Sequence, residues 1–176
     1  MIRRRLVLAA GLAAAPSIAR AQQRLQIPEK WYAVRVEDNA FTVEMPGVPD
    51  HRLVNDVTSR GTPFVLHSYS LESGGNSYVA QTALYPETVD TSQPRRLLQA
   101  VLDGRAQQLA GRKWAKTEWR EIDGGASVES IGTLTGGSQL RQLSLLKYRR
   151  FVSLAFLGPS ATVPEANRFF TSLKVT

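Results

Sequence analysis

The chain has 176 residues, with 22 lysines and arginines against 15 acidic residues, two histidines and no cysteine. That composition excludes disulfides, thiol catalysis and thiolate metal sites, and leaves stability to packing. Four of the basic residues, Arg3, Arg4, Arg5 and Arg20, stand in residues 1–21, where there is no acidic residue, so residues 22–176 carry a formal charge of only +3, a weak basis for nucleic acid as a partner.

The first predicted element is an export leader. Three arginines precede an apolar run from Leu6 to Ala15, and the small residues Ala19 and Ala21 follow in cleavage spacing, the order of a secretory signal peptide. Ten apolar residues rise about 15 Å as a helix, roughly half of a bilayer's hydrocarbon core, so the run is too short for a stable transmembrane anchor. The reading predicts cleavage after Ala21 and a protein that works in the periplasm or is secreted. The stretch Arg3-Arg4-x-Leu6-Val7 resembles the twin-arginine export pattern, with Sec export as the alternative.

Residues 22–176 are expected to form one domain, long enough for an ordinary core. "WYAVRVED" and "FTVEMPG" read as two strands joined around Glu37 to Ala40; Phe41, Val43 and Met45 alternate with polar residues, so one face is buried. Pro46, Gly47 and Pro49 end the second strand and turn the chain. "RLVNDVTS" is a weaker strand, and "PFVLHSYSLE" and "SYVAQTALYP" form a hairpin around Gly74-Gly75. A helix follows over 94–110, with Pro94 in its first turn and Gly111 as its stop. Four more strands, "KWAKTEWREI", "ASVESIGTL", "QLRQLSLLKY" and "FVSLAFLG", are separated by Gly124-Gly125, Gly136-Gly137 and Arg149-Arg150. A last helix combines a Thr162/Glu165 capping-box spacing with Ala166, Phe169, Phe170 and Leu173 on one face. Strands and helices segregate, which predicts an α+β domain: an antiparallel sheet of six or seven strands with two main helices packed on it.

This order of motifs resembles the PsbP-like fold, found in extrinsic photosystem II proteins, a Ran-binding nuclear import factor and many small exported bacterial proteins. The likeness rests on "FTVEMPGVP", the central helix, the "LRQLSLLKYRRFVSLAF" hairpin and the closing "ANRFFTSLKV". Where such relatives tend to have a glycine in the hairpin turn, this chain has Lys147-Tyr148-Arg149-Arg150. The resemblance implies protein binding or assembly more than catalysis and names no partner.

The chemistry-bearing residues form no catalytic constellation. A metal site built on His51 and His67 would need an added carboxylate such as Asp50 or Asp56, and satisfied or exposed histidines are the simpler expectation. "GGSQ" and "SGGNS" lack the context of a nucleophilic serine, and Glu118, Glu121 and Asp123 read as a charged strand edge. The glycine pairs lack the spacing of phosphate loops. No cofactor and no metal are expected. The leading expectation is therefore a non-enzymatic binding or adaptor protein with an envelope-protein partner, whose contact surface includes Lys147, Tyr148, Arg149 and Arg150. The basic residues also allow weak contact with an anionic membrane. One alternative is a small-molecule carrier or enzyme with a pocket between sheet and helix, lined by His67, Trp114 and Trp119. Another is a structural part of an envelope complex.

Overall fold

A computed structural model describes residues 30–36, 39–58 and 60–176. The leader expected over residues 1–21, with Arg3, Arg4, Ala19 and Ala21, lies outside the described residues. The described chain is an α+β fold of two antiparallel sheets and two helices. Strands β1 (Tyr32–Arg35), β2 (Phe41–Met45) and β10 (Lys174–Val175) make a small sheet in the order β1-β2-β10. The remaining strands are β3 (Asp50–Val57), β4 (Pro63–Ser73), β5 (Asn76–Leu84), β6 (Lys116–Ile122), β7 (Gly125–Thr133), β8 (Gln139–Lys147) and β9 (Arg150–Gly158). They make a seven-stranded sheet in the order β3-β4-β5-β9-β8-β7-β6. Helix α1 (Pro94–Ala106) joins β5 to β6, and α2 (Pro164–Thr171) follows β9.

Hydrophobic alternation sets which face of the large sheet each helix covers. On one face, Tyr78, Ala80, Leu143, Leu145, Val152, Leu154 and Phe156 pack against Phe41, Val43 and Met45 of β2 and against Ala166, Phe169 and Phe170 of α2. Tyr78 is central there, edge-on to Phe156 at 5.3 Å and to Phe169 at 5.5 Å, a favoured aromatic geometry. On the opposite face, Leu98 and Leu102 of α1 pack against Leu66, Ala83, Val128, Leu146 and Phe151. The small sheet and α2 thus share one face, and α1 covers the other.

Turn chemistry fixes the register. Gly74 and Gly75 take φ 59° and 78° between the paired residues Ser73 and Asn76, and Asp123 and Gly124 take 49° and 77° between Ile122 and Gly125. Both are two-residue hairpin loops with two left-handed positions. The second turn is therefore Asp123-Gly124, not Gly124-Gly125: Gly125 belongs to β7, where a Cβ would lie 3.1 Å from Leu145 and Lys147 side-chain atoms. The corner at Pro46, Gly47 and Pro49 ends β2 as expected and carries the chain from the small sheet to β3 of the large one.

Both helices end earlier than their sequence periodicity predicts. Helix α1 stops at Ala106, because Leu109 is drawn into an isolated bridge with Leu134 and is buried; Gly111, at φ 68°, sits in a separate 3-10 turn (Ala110–Arg112). Helix α2 stops at Thr171, because residues 174 and 175 pair with Thr42 and Phe41 of β2. The Ser172 hydroxyl accepts the Glu44 backbone N–H at 2.8 Å, fastening this crossover. The capping box does not form: Val163 is the N-cap and makes no side-chain cap bond, while Asn167 Nδ2 donates to the Thr162 carbonyl at 3.2 Å.

Truncating Phe169, fully buried against Tyr78, removes α2's main anchor. We expect Phe169→Ala to lower the unfolding free energy by about 3–5 kcal/mol in urea titrations. A loss below about 1 kcal/mol would show that α2 is not fastened by this contact.

Candidate functional site

The cover formed by the small sheet and α2 is narrower than the sheet beneath it, so among the described residues that face has two uncovered margins, and their chemistry is opposite. At the β6–β7 margin the outward residues are charged. Glu129 lies between Arg120 Nη2 and Arg141 Nε, each at 2.6 Å from a carboxylate oxygen, although Glu129 is itself buried. Arg141 also lies over the Phe170 ring, 4.4 Å from its centroid, and donates to Asn167 Oδ1 at 2.7 Å, tying β8 to α2. Glu118, directly opposite Glu129, pairs with Lys116 at 2.8 Å. The hydrogen bond and charge of Lys116 hold the Glu118 carboxyl below the ordinary carboxylate range. Asp123 accepts the Val175 backbone N–H at 3.1 Å. These carboxylates are engaged by cations and backbone, so no pair shares a site suited to acid–base catalysis.

The β3–β4–β5 margin is apolar. Leu53, Val57, Val65 and Leu84 are 63%, 59%, 44% and 51% exposed, four of the eight large hydrophobic residues exposed among the described residues. Register places all four on the same face. Leu53 pairs with His67 and His67 with Thr82; one row away, Asn55 pairs with Val65, and Leu84 pairs with Arg150. Continuing the His67–Thr82 pairing by one row sets Val65 beside Leu84. All of β3 is exposed, and it is the sheet's edge strand, so its outer backbone groups also face outward.

The row that carries Val65 and Leu84 runs on into the hairpin expected from sequence to be a contact surface. Arg150 pairs with both Leu84 and Lys147, and Tyr148 and Arg149 form the two-residue loop beyond them. Tyr148 takes φ 53° and is 86% exposed. It lines two shallow clefts, one of about 420 Å³ with Asn39, Ala40 and Val175, the other of about 630 Å³ with Glu87, Asp90 and Ala126. Arg149 donates to the Tyr85 carbonyl at 3.3 Å and pairs with Glu87 at 3.4 Å, and Lys147 Nζ reaches the Thr176 carbonyl at 3.4 Å. These bonds brace the base of the loop and leave its tyrosine projecting.

The pocket expected from His67, Trp114 and Trp119 does not assemble, because pairing puts His67 on one face of the sheet and Trp119 on the other. Both tryptophans pack in the layer under α1, where Trp114 Nε1 donates to the Leu102 carbonyl at 3.2 Å. A different cleft lies on that face. It measures about 370 Å³ and is lined by Ser68, Ser70, Gln81, Arg105, Leu140 and Ala155 among others. His67 instead meets His51: Nε2 of His51 lies 3.3 Å from Nδ1 of His67, and the His51 ring stacks on Tyr69 at 4.4 Å.

No family model and no curated protein matches the chain. Among solved structures, it is similar to the solution structure of cyanobacterial PsbP (CyanoP) from Synechocystis sp. PCC 6803. The TM-score is 0.51 at 11% identity over 94% of this chain and 99% of that one. A protein of unknown function from Pseudomonas aeruginosa aligns with TM-score 0.43 at 14% identity, over 80% of this chain and 91% of that one. The likeness to cyanobacterial PsbP gives the chain a PsbP-like fold. Among the described residues, no helix is long and apolar enough to cross a membrane.

The two margins can be separated energetically. Glu129→Ala would strand the mostly buried Arg141, and we expect a loss of about 3 kcal/mol; Glu118→Ala, at a solvent-exposed pair, should leave the urea midpoint where it is. Equal effects in urea titrations would contradict the distinct roles assigned to these facing carboxylates.

Proposed function

We propose that residues 1–21 are a cleaved export leader and that residues 22–176 form a single domain acting in the periplasm, or outside the cell, as a non-enzymatic binding or adaptor protein. The observation that carries this reading is the apolar margin of Leu53, Val57, Val65 and Leu84. Soluble chains ordinarily blunt an edge and its face with charge, as residues 116–120 do at the opposite margin. Its continuation into Lys147, Arg149 and Arg150 favours a protein partner with an apolar centre and an acidic flank, since charge complementarity steers and orients such docking. Tyr148 is the aromatic anchor of the surface, a residue type enriched where interfaces concentrate their energy.

A photo-cross-linking residue at Leu53 or at Leu84 should, in the native cell, yield the same discrete protein adduct, and one at Gln99 on the exposed side of α1 should not. Reversing Lys147 and Arg149 to glutamate should weaken the adduct severalfold. No adduct, or identical adducts from all three positions, would refute the surface. Export is tested separately: the chain recovered from the cell envelope should begin at Gln22, and an intact Met1 would contradict the leader. Replacing Arg3, Arg4 and Arg5 by lysine abolishes export if the twin-arginine route is used and leaves it intact if Sec is used.

The cleft of about 370 Å³ beneath α1 supports a second reading, a small-molecule carrier, because its volume is that of ordinary ligand pockets. Native mass spectrometry of protein purified without denaturant distinguishes the two: extra mass of small-molecule size supports the carrier, and extra mass of protein size the adaptor.

A further inference from the structure

Strand β3 is a free edge of the seven-stranded sheet, and every one of its residues is exposed, on both faces. Its ladder with β4 runs unbroken from the pair Asp50 and Ser70 to the pair Val57 and Pro63, so no bulge twists the edge away. The strand contains no proline, glycine or lysine. Such an edge offers a row of unpaired backbone N–H and C=O groups to another strand. What remains to guard it is charge. Asp50, Arg52 and Asp56 alternate with the residues of the apolar margin and share with Val54 the face turned toward α1. None of the three makes an ion pair among the described residues, and Asp56 accepts only the neighbouring Val57 backbone N–H, at 2.8 Å.

We propose that β3 pairs antiparallel with β3 of a second copy of this chain, about a twofold axis that crosses the sheet at Val54. Paired residues point to the same side of a sheet, so a twofold pair matches odd residues with odd and even with even, which leaves few registers. Centred on Val54, the pairing runs over residues 51–57 of each copy and sets Arg52 opposite Asp56 of the second copy, with the reciprocal pair beyond the axis. On the other face Leu53 meets Asn55 of the second copy, and His51 meets Val57. The neighbouring registers fail on charge. Centred on Leu53, Asp50 faces Asp56 of the second copy; centred on Arg52, two guanidinium groups meet; centred on Asn55, Asp56 faces Val54. Centred on His51, Asp50 meets Arg52, but the ladder then runs only from Asp50 to Arg52. Opposite charges across a ladder stabilise it and like charges destabilise it. The charges that guard β3 against foreign strands therefore select its own edge, in one register. Pairing closes both edges into one continuous sheet and leaves the face of Leu53, Val57, Val65 and Leu84 open, so the two apolar margins join across the axis. It needs nothing from the adaptor reading and stands or falls without it.

Sedimentation velocity of the purified chain over a concentration series tests the pairing. The parent chain should pass from monomer to dimer as concentration rises, reversibly, as suits a small interface. Arg52→Asp and Asp56→Arg each place like charges opposite one another in both pairs, and each should weaken the dimer by about 10-fold. An equal mixture of these two variants should dimerise again, because opposite charges then face each other, and so should the double variant Arg52→Asp/Asp56→Arg. Val54→Lys, which sets two ammonium groups at the axis, should abolish the dimer. All three positions are exposed, so each variant should keep the parental thermal midpoint. A parent chain that stays monomeric throughout, a dimer that survives the single substitutions, or a mixture that stays monomeric would overturn the pairing.

Discussion

A sheet of seven strands is too wide for what this chain lays across it. Seven strands about 4.8 Å apart span roughly 29 Å between their outer axes, whereas a three-stranded sheet and one helix side by side cover roughly 20 Å. The small sheet and α2 sit over the middle strands, where Tyr78, Leu143, Leu145, Leu154 and Phe156 are buried. What lies beyond must face water, and the chain solves this differently on its two sides. At β6 and β7 it places Lys116, Glu118 and Arg120 outward and buries Glu129 between two guanidinium groups. At β3, β4 and β5 it places exposed leucine and valine, interleaved with His51, Asn55 and His67.

The proposed function rests on that asymmetry. The charged margin is self-satisfied, each carboxylate already answered by a cation or a backbone N–H. The apolar margin keeps its hydrophobic surface in water at a cost of about 25 cal/mol per Å², a cost that the proposed protein partner would remove. The hairpin at residues 147–150 extends the same face, its arginine braced by Glu87 and its tyrosine projecting.

Much of the fold is legible in the sequence because alternation and turn residues are local signals. The strands from "PFVLHSYSLE" to "FVSLAFLG", the two helices and the Pro-Gly corner all stand where their patterns put them. The losses are at places where a distant partner decides. Helix α2 ends because β2 offers Lys174 and Val175 a strand to pair with, and α1 ends because Leu134 takes Leu109. Neither partner is visible from the helix itself. Glu129 looks like an ordinary polar position in "ASVESIGTL"; its burial follows from Arg120 and Arg141 flanking it on neighbouring strands. The two histidines are weighed together from sequence, but their direct contact is not legible there, for a smaller reason. Reading β3 from Arg52 leaves His51 outside the strand, and once β3 begins at Asp50 the pairing of His51 with Tyr69 sets it diagonal to His67. The 147–150 hairpin stands within one residue of its expected place, its loop being Tyr148-Arg149 where Arg149-Arg150 was expected, whereas the apolar margin beside it emerges only when the sheet's cover is known.

The most direct test of this account is carbene footprinting of the purified chain and of the same chain in native cell extract. The account predicts strong labelling of Leu53, Val57, Val65 and Leu84 in the purified protein and protection of these four in the extract, with the outer side of α1 labelled equally in both. Equal labelling of the four residues in the two samples would contradict it, for the margin would then be a surface that nothing covers.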